Sequence, residues 1–213
     1  MAQNSASMTS PRPELPAALA HLAVERSFDG GQAIFRKGAA ARHVHFLAKG
    51  RVRLSRFGPQ GEEVAIHAAR AGEFFAEASL HSESYHCTAV VVQPALVASI
   101  PSDELRALLR RDAEFAMQWL AIVSRQLRQA RTRVERLCLK GARERVRHLL
   151  LTEGTGAAHR YTLHGSIKDL AVDLGLTHEA LYRTLAAMER DNLVLRDDGS
   201  LALVRQPSAS GAK

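Results

Sequence analysis

Between residues 28 and 101 the chain alternates apolar and polar positions in short runs, "QAIF", "HVHFLA", "RVRLSRF", "EEVAIH" and "TAVVV", with glycines at 30, 31, 38, 50, 58, 61 and 72 between or beside them. A period of two marks half-buried strands and the glycines mark turns, which predicts an antiparallel sandwich or barrel-like roll. After Pro101 the period lengthens. Ser102 is placed to cap a helix whose first turn carries Asp103 and Glu104, with Leu105, Leu108 and Leu109 as its buried stripe. From about Asp112, Phe115, Trp119, Ile122 or Val123, Leu127, Ala130, Val134 and Leu137 recur every three or four residues, a stripe of about seven turns. Such a helix lays its seam either on its own β domain or on a copy of itself. Its length favours pairing, and a homodimer is expected. "ARERVRHLLL" predicts a further helix ending before Gly154, and a loop rich in Gly, Ala and Thr then leads to "RYTL".

The stretch "SIKDLAVDLGLTHEALYRTLAAMERDNL" is the most informative of the chain. Ser166 with Asp169 resembles a capping box and starts a helix that points Ile167, Leu170, Ala171 and Leu174 inward. Gly175 ends that helix in a left-handed conformation. Thr177 caps a second helix, in which Ala180, Leu181, Leu185 and Met188 face the core while His178, Glu179, Tyr182 and Arg183 stay outside. "LVLRDDGSLALV" then reads as two strands joined at Asp198-Gly199. The pattern predicts a winged helix-turn-helix. Arg183 can donate bidentately to guanine O6 and N7, and Glu179, four residues earlier, can accept from cytosine N4. Thr177, His178, Glu179, Tyr182 and Arg183, with Ser166 ahead of them, are the candidate DNA-binding residues.

Charge strengthens that reading once it is located. The formal net charge is +7, and of the 29 basic and 22 acidic residues six basic and one acidic fall in "RQLRQARTRVERLCLK", residues 125–140. A basic segment of this kind suits a phosphate backbone, and a solvated helix face is the alternative. The 213 residues, 46% hydrophobic, suffice for one large or two small globular domains. No apolar run is long enough to span a bilayer, and no membrane partner is expected. The N-terminus has no basic or apolar leader region, and 1–14 is expected to be a disordered lead. The expected domains are an effector-sensing β roll at 15–111, a dimerisation helix at 112–140, a DNA-binding domain at 141–205 and a flexible tail at 206–213. Two cysteines 51 positions apart suggest free thiols in a reducing cytoplasm. The chain lacks a nucleophile motif, HExxH and GxxxxGK[ST], so an enzyme is not expected. A ligand-binding module whose helical domain recognises a protein partner is the competing class, and salt-dependent duplex binding separates the two.

Taken in order, the glycine-punctuated roll, "AGEFFAEASL", the long helix and "LAVDLGLTHEALYRTLAAMERDNLV" resemble the CRP/FNR family of bacterial transcription regulators over residues 28–204. The resemblance implies an α+β fold: an N-terminal antiparallel β roll like a cyclic-nucleotide-binding domain, a long dimerisation helix and a C-terminal winged helix-turn-helix. It further implies a homodimer on a pseudo-palindromic double-stranded operator, and RNA polymerase as a partner. Glu179 and Arg183 fall on the family's main base-reading positions, and Thr177 and His178 near backbone phosphate or an outer base. Tyr182 stands where many members carry a small residue.

The same resemblance places an effector pocket at Glu73, Ala76, Glu77, Cys87 and Thr88, with Ala130 and Arg131 on the long helix. Glu77 falls where a carboxylate accepts a ribose hydroxyl, and Thr88 where a hydroxyl meets the cyclic phosphate. Cys87 replaces the arginine that neutralises that phosphate, and a thiol cannot form the bidentate pair. Ala76 replaces a glycine, and Ala130 and Arg131 replace two hydroxyls that meet adenine. Together these changes argue against cyclic AMP as the effector. A metal ion is the first alternative, with Cys87, His86, His81 and His67 as candidate ligands; redox change and a haem-borne gas are others. In a regular strand His86 and Cys87 face opposite ways, so joint ligation requires irregular backbone. The simplest reading of Cys87 is a small buried hydrophobe. Iron–sulfur ligation lacks its cysteine cluster.

Overall fold

A computed structural model describes residues 13–61, 63–197 and 199–204. The expected N-terminal lead lies outside these residues but for its last two positions, as does the expected tail. The chain divides into two compact units between Trp119 and Leu120, inside the long helix rather than at either of its ends.

In the first unit a one-turn helix α1 (Ala17–Ala20) precedes an antiparallel sheet in the order β1-β6-β3-β4. Its strands are β1 (Val24–Phe28), β2 (Ala33–Phe35), β3 (His43–Phe57), β4 (Glu63–Arg70), β5 (Phe74–Phe75) and β6 (Thr88–Pro101); β2 also pairs with β6, and β5 with β3. Two expectations need correction. The runs "HVHFLA" and "RVRLSRF" are not separate strands about a turn at Gly50 but the single bent strand β3, and "TAVVV" continues through Pro94 to Pro101 as β6. The pairing of β3 with β6 shifts register between Leu47 and Val52. Gly50 has φ +91°, and a Cβ there would sit 2.3 Å from the Pro94 carbonyl oxygen. The two strands cross so closely at this bulge that only glycine fits. The core joins Phe35, Leu47, Val52, Leu54, Phe75, Tyr85, Cys87, Val91 and Val97.

Ser102 does not cap α2 (Ser102–Arg111) as expected. Pro101 holds the cap position and Ser102 is the first helical residue, its hydroxyl donating to the Ala41 carbonyl at 2.9 Å. Asp112 begins α3 (Ala113–Cys138), its carboxylate accepting from the Phe115 amide at 2.9 Å. The single expected stripe on α3 proves to be two. Phe115 and Trp119 are buried, Trp119 edge-on to Phe74 with centroids 5.0 Å apart, whereas Met117, Leu120, Leu127 and Val134 are exposed.

The second unit takes α3 from Leu120 onward, α4 (Ala142–Glu153), β7 (Tyr161–Thr162), α5 (Ile167–Asp173), α6 (His178–Arg190), β8 (Val194–Asp197) and β9 (Ser200–Leu203), the last two forming a hairpin within the sheet β7-β9-β8. Val146, Leu149 and Leu150 of α4 meet Leu170, Leu174, Leu181, Leu185 and Met188 in its core, with Tyr161, Val194 and Leu201 from the sheet. Arg136 is buried near the end of α3, where its guanidinium donates to Glu153 at 2.5 Å and to the Thr152 hydroxyl at 3.3 Å. Among the described residues no helix is long and apolar enough to cross a membrane.

Candidate nucleic-acid interface and effector pocket

The α5–turn–α6 segment is built from local contacts. Ser166 Oγ accepts from the Asp169 amide at 3.2 Å while Asp169 Oδ2 accepts from the Ser166 amide at 3.0 Å, a capping box that satisfies donors otherwise orphaned at the helix start. Gly175 has φ +62°, and a Cβ there would approach Leu137 Cδ2 to 2.9 Å. Arg145 fastens the turn: one guanidinium nitrogen donates to the carbonyls of Leu174 and Gly175, each at 3.1 Å, and its Nε donates to Leu139 O at 2.9 Å. Thr177 Oγ1 accepts from the Ala180 amide at 3.1 Å and so caps α6.

With Leu181, Leu185 and Met188 fully buried, α6 leaves Thr177, His178, Glu179, Tyr182 and Arg183 exposed. His178, Glu179, Tyr182 and Arg183 line one open hollow. Tyr182 is 52% exposed, and its ring has two neighbours. The Arg196 guanidinium of β8 lies 5.6 Å from its centroid, the His178 ring 6.3 Å away, and Arg196 is itself paired with Glu189 at 3.6 Å. Ser166 is also exposed, but its hydroxyl is engaged in the capping box. Sequence reasoning missed Arg145 and Arg196. A basic residue in the predicted hairpin was a signal for the second; Arg145 acts on carbonyls about thirty residues away and had none.

In the roll, Ala76 follows β5 with φ +66°, a left-handed conformation that glycine adopts without strain and alanine does not. The short 3-10 turn Glu77–Ser79 comes next. Burial pushes the half-buried Glu77 carboxyl above its ordinary range, with Glu73 adding to it against two backbone hydrogen bonds. Glu73 accepts from the Arg70 amide at 2.9 Å. Cys87 is 1% exposed within the apolar core, and burial pushes its thiol up to about 11, with Arg56 opposing and Glu77 reinforcing the shift. Thr88 is buried, its hydroxyl accepting from the Lys37 amide at 3.1 Å.

The candidate metal ligands do not converge. His86 and Cys87 precede β6 in non-strand backbone, the irregularity joint ligation requires, yet His86 Nδ1 lies 2.9 Å from Ser79 Oγ while Cys87 is in the core. His67 lies 3.7 Å from Glu73, and His81 is exposed. Among the described residues no three His, Cys, Asp or Glu side chains form a group that could hold a metal ion. Ala130 and Arg131 are exposed on the part of α3 that belongs to the second unit. Arg56 was also missed; its Nε donates to the His86 carbonyl at 3.0 Å.

The profile of the cyclic nucleotide-binding domain matches residues 25–112. The chain is 29% identical to the cyclic AMP receptor protein of Thermus thermophilus over 180 residues, 83% of this chain and 82% of that one. It is also 29% identical to the nitrogen fixation regulation protein FixK of Azorhizobium caulinodans over 217 residues, 98% and 86% of the two chains. The chain is thus similar, over most of its length, to transcription regulators of the CRP/FNR family. The fold agrees: the structure of FixK2 from Bradyrhizobium japonicum superposes with a TM-score of 0.72 over 86% of this chain and 93% of that one, at 23% identity. These relatives are transcription regulators, and the α5–α6 segment of this chain has the helix-turn-helix arrangement.

Proposed function

We propose that the protein is a homodimeric, sequence-specific regulator that reads a pseudo-palindromic operator through α6 and is switched by a signal other than cyclic AMP received in the β roll. The observation that carries the DNA part is the exposed set Thr177, His178, Glu179, Tyr182 and Arg183 on a capped helix behind a glycine turn. Glu179 and Arg183, one turn apart, suit the edges of a cytosine and a guanine.

Pairing is supported by the second stripe of α3. Leu120, Leu127 and Val134 are exposed and recur every seven residues, with Met117 beside them, the spacing of a helix-pairing seam. Two copies joined along it would present their reading helices to half-sites roughly 34 Å apart. An effector would act by favouring the dimer whose reading helices match that spacing.

Against cyclic AMP stands the chemistry at position 87. A buried thiol raised to about 11 stays neutral at physiological pH and gives a cyclic phosphate no charge-assisted partner. The name of the Thermus relative speaks for cyclic AMP in that protein. In this chain a redox or haem-borne signal, or no ligand, takes its place; the candidate metal ligands Cys87, His86, His81 and His67 do not come together to support a metal there. RNA polymerase as partner and a cytoplasmic location complete the proposal.

The test begins with an operator selected from random duplexes by the purified protein. Arg183→Ala should cost about 1–3 kcal/mol on that operator and relax preference at a single guanine. An unchanged preference at low salt would sink the assignment of α6. Calorimetric titration with cyclic AMP should show no tight binding.

A further inference from the structure

Tyr182 has no place in the pairing of arginine and glutamate with base edges. Tyr182 is half exposed on the polar face of the helix and takes no part in its core, which leaves an aromatic face and edge open to a partner outside the chain. Three features of its setting describe that partner. The ring stands between Glu179 and Arg183, one turn and one residue away, and these three with His178 line the same hollow. It is steadied from the hairpin side, since Arg196 stacks on it at 5.6 Å and is tied to Glu189. Finally, the ring offers an apolar face and edge where its neighbours offer hydrogen bonds and charge.

Resting on the reading of α6 as the base-contacting helix, we propose that Tyr182 is a specificity residue that packs on the 5-methyl group of a thymine next to the bases read by Glu179 and Arg183, with Arg196 of the hairpin as its positioning residue. The major groove displays one apolar group among its donors and acceptors, the thymine methyl, and an aromatic or aliphatic side chain distinguishes it. A ring already held by a guanidinium loses little further freedom on contact. The hydroxyl is left to water or to the sugar-phosphate chain.

The experiment uses the full-length protein and the operator it selects from random duplexes. Each thymine of a half-site is replaced in turn by deoxyuridine, which removes the methyl and leaves every hydrogen-bonding atom. For the wild type one such replacement should weaken binding by about fivefold, in keeping with the scale of base-edge contacts. In Tyr182→Ala that ratio should fall to about one, with the thermal midpoint unchanged because the ring is exposed. Tyr182→Phe should keep the ratio. Arg196→Ala should reduce it, and an unaltered ratio would overturn the bracing role.

If no deoxyuridine position matters to the wild type, or if Tyr182→Ala retains the ratio, the proposal is overturned while sequence-specific binding stands. If Tyr182→Phe weakens binding to all duplexes equally while the wild type is indifferent to every deoxyuridine, the residue is a phosphate contact through its hydroxyl and the methyl assignment is overturned. Failure to select any operator would instead remove the reading of α6 on which the proposal rests.

Discussion

At the scale of single residues, burial decides what the titratable groups of the roll can do. His45 is 5% exposed, stacked on Phe75 at 5.0 Å, with Nδ1 3.0 Å from Ser99 Oγ. Burial, with the neighbouring His43 in support, lowers its pKa to about 3. The unfolded chain therefore takes up a proton near pH 6.5 that the folded chain refuses. Stability contributed by neutral His45 is complete above about pH 6.5 and is lost as pH falls towards 3, at up to about 1.4 kcal/mol per unit. His86, lowered by burial and then Arg56, acts in the same sense. Glu77, raised by burial, acts in the other. Chemical denaturation between pH 7 and 4 should show a steeper decline for the wild type than for His45→Gln; parallel declines would disprove the assignment. Cys87 is governed by the same physics. In a Cys138→Ser background the folded protein should resist iodoacetamide at pH 8, and denaturant should release the thiol for modification. Labelling in the native state at the rate of a free thiol would contradict its burial. The sequence already favoured a buried hydrophobe at 87. It did not reveal Arg56, which donates to the carbonyl of the preceding His86, because residues 30 apart are neighbours only once the sheet has formed.

At the scale of elements, the helix-turn-helix is the most legible part of the chain. Ser166, Asp169, Gly175 and Thr177 act within three residues of themselves, and the structure shows the capping box, the left-handed turn and the second cap where they were expected. Gly175→Ala should destabilise the second unit by about 1–2 kcal/mol, since alanine is strained at φ +62° and its Cβ meets Leu137. Denaturant titration of the full chain checks it, and a neutral substitution would mean that the turn yields. The roll was legible in kind but not in its strands. Gly50 reads as a turn in isolation; whether a glycine ends a strand or bends it depends on the strand opposite, and here the Pro94 carbonyl fills the space of the missing side chain.

On the scale of the whole molecule, the exposed stripe of α3 and its charge pull against each other. Arg131 is exposed between Leu127 and Val134 on the same side of the helix. In a parallel pair two such guanidiniums meet, and their repulsion weakens an otherwise apolar seam. Leu127→Arg should therefore shift sedimentation towards monomer and abolish binding to a two-half-site operator, while Arg131→Leu should tighten the dimer. A dimer indifferent to both would place the interface elsewhere. The sequence by itself determined the order of the parts, the caps and turns, and the side chains α6 presents, because these follow from period, local hydrogen bonding and glycine's freedom at positive φ. The tertiary structure alone decided that α3 has two apolar faces, that β3 and β6 run unbroken through their bend, and that Arg56 comes to the His86 carbonyl next to Cys87. Those outcomes depend on which distant surfaces exclude water together, and no single stretch of the chain contains that information.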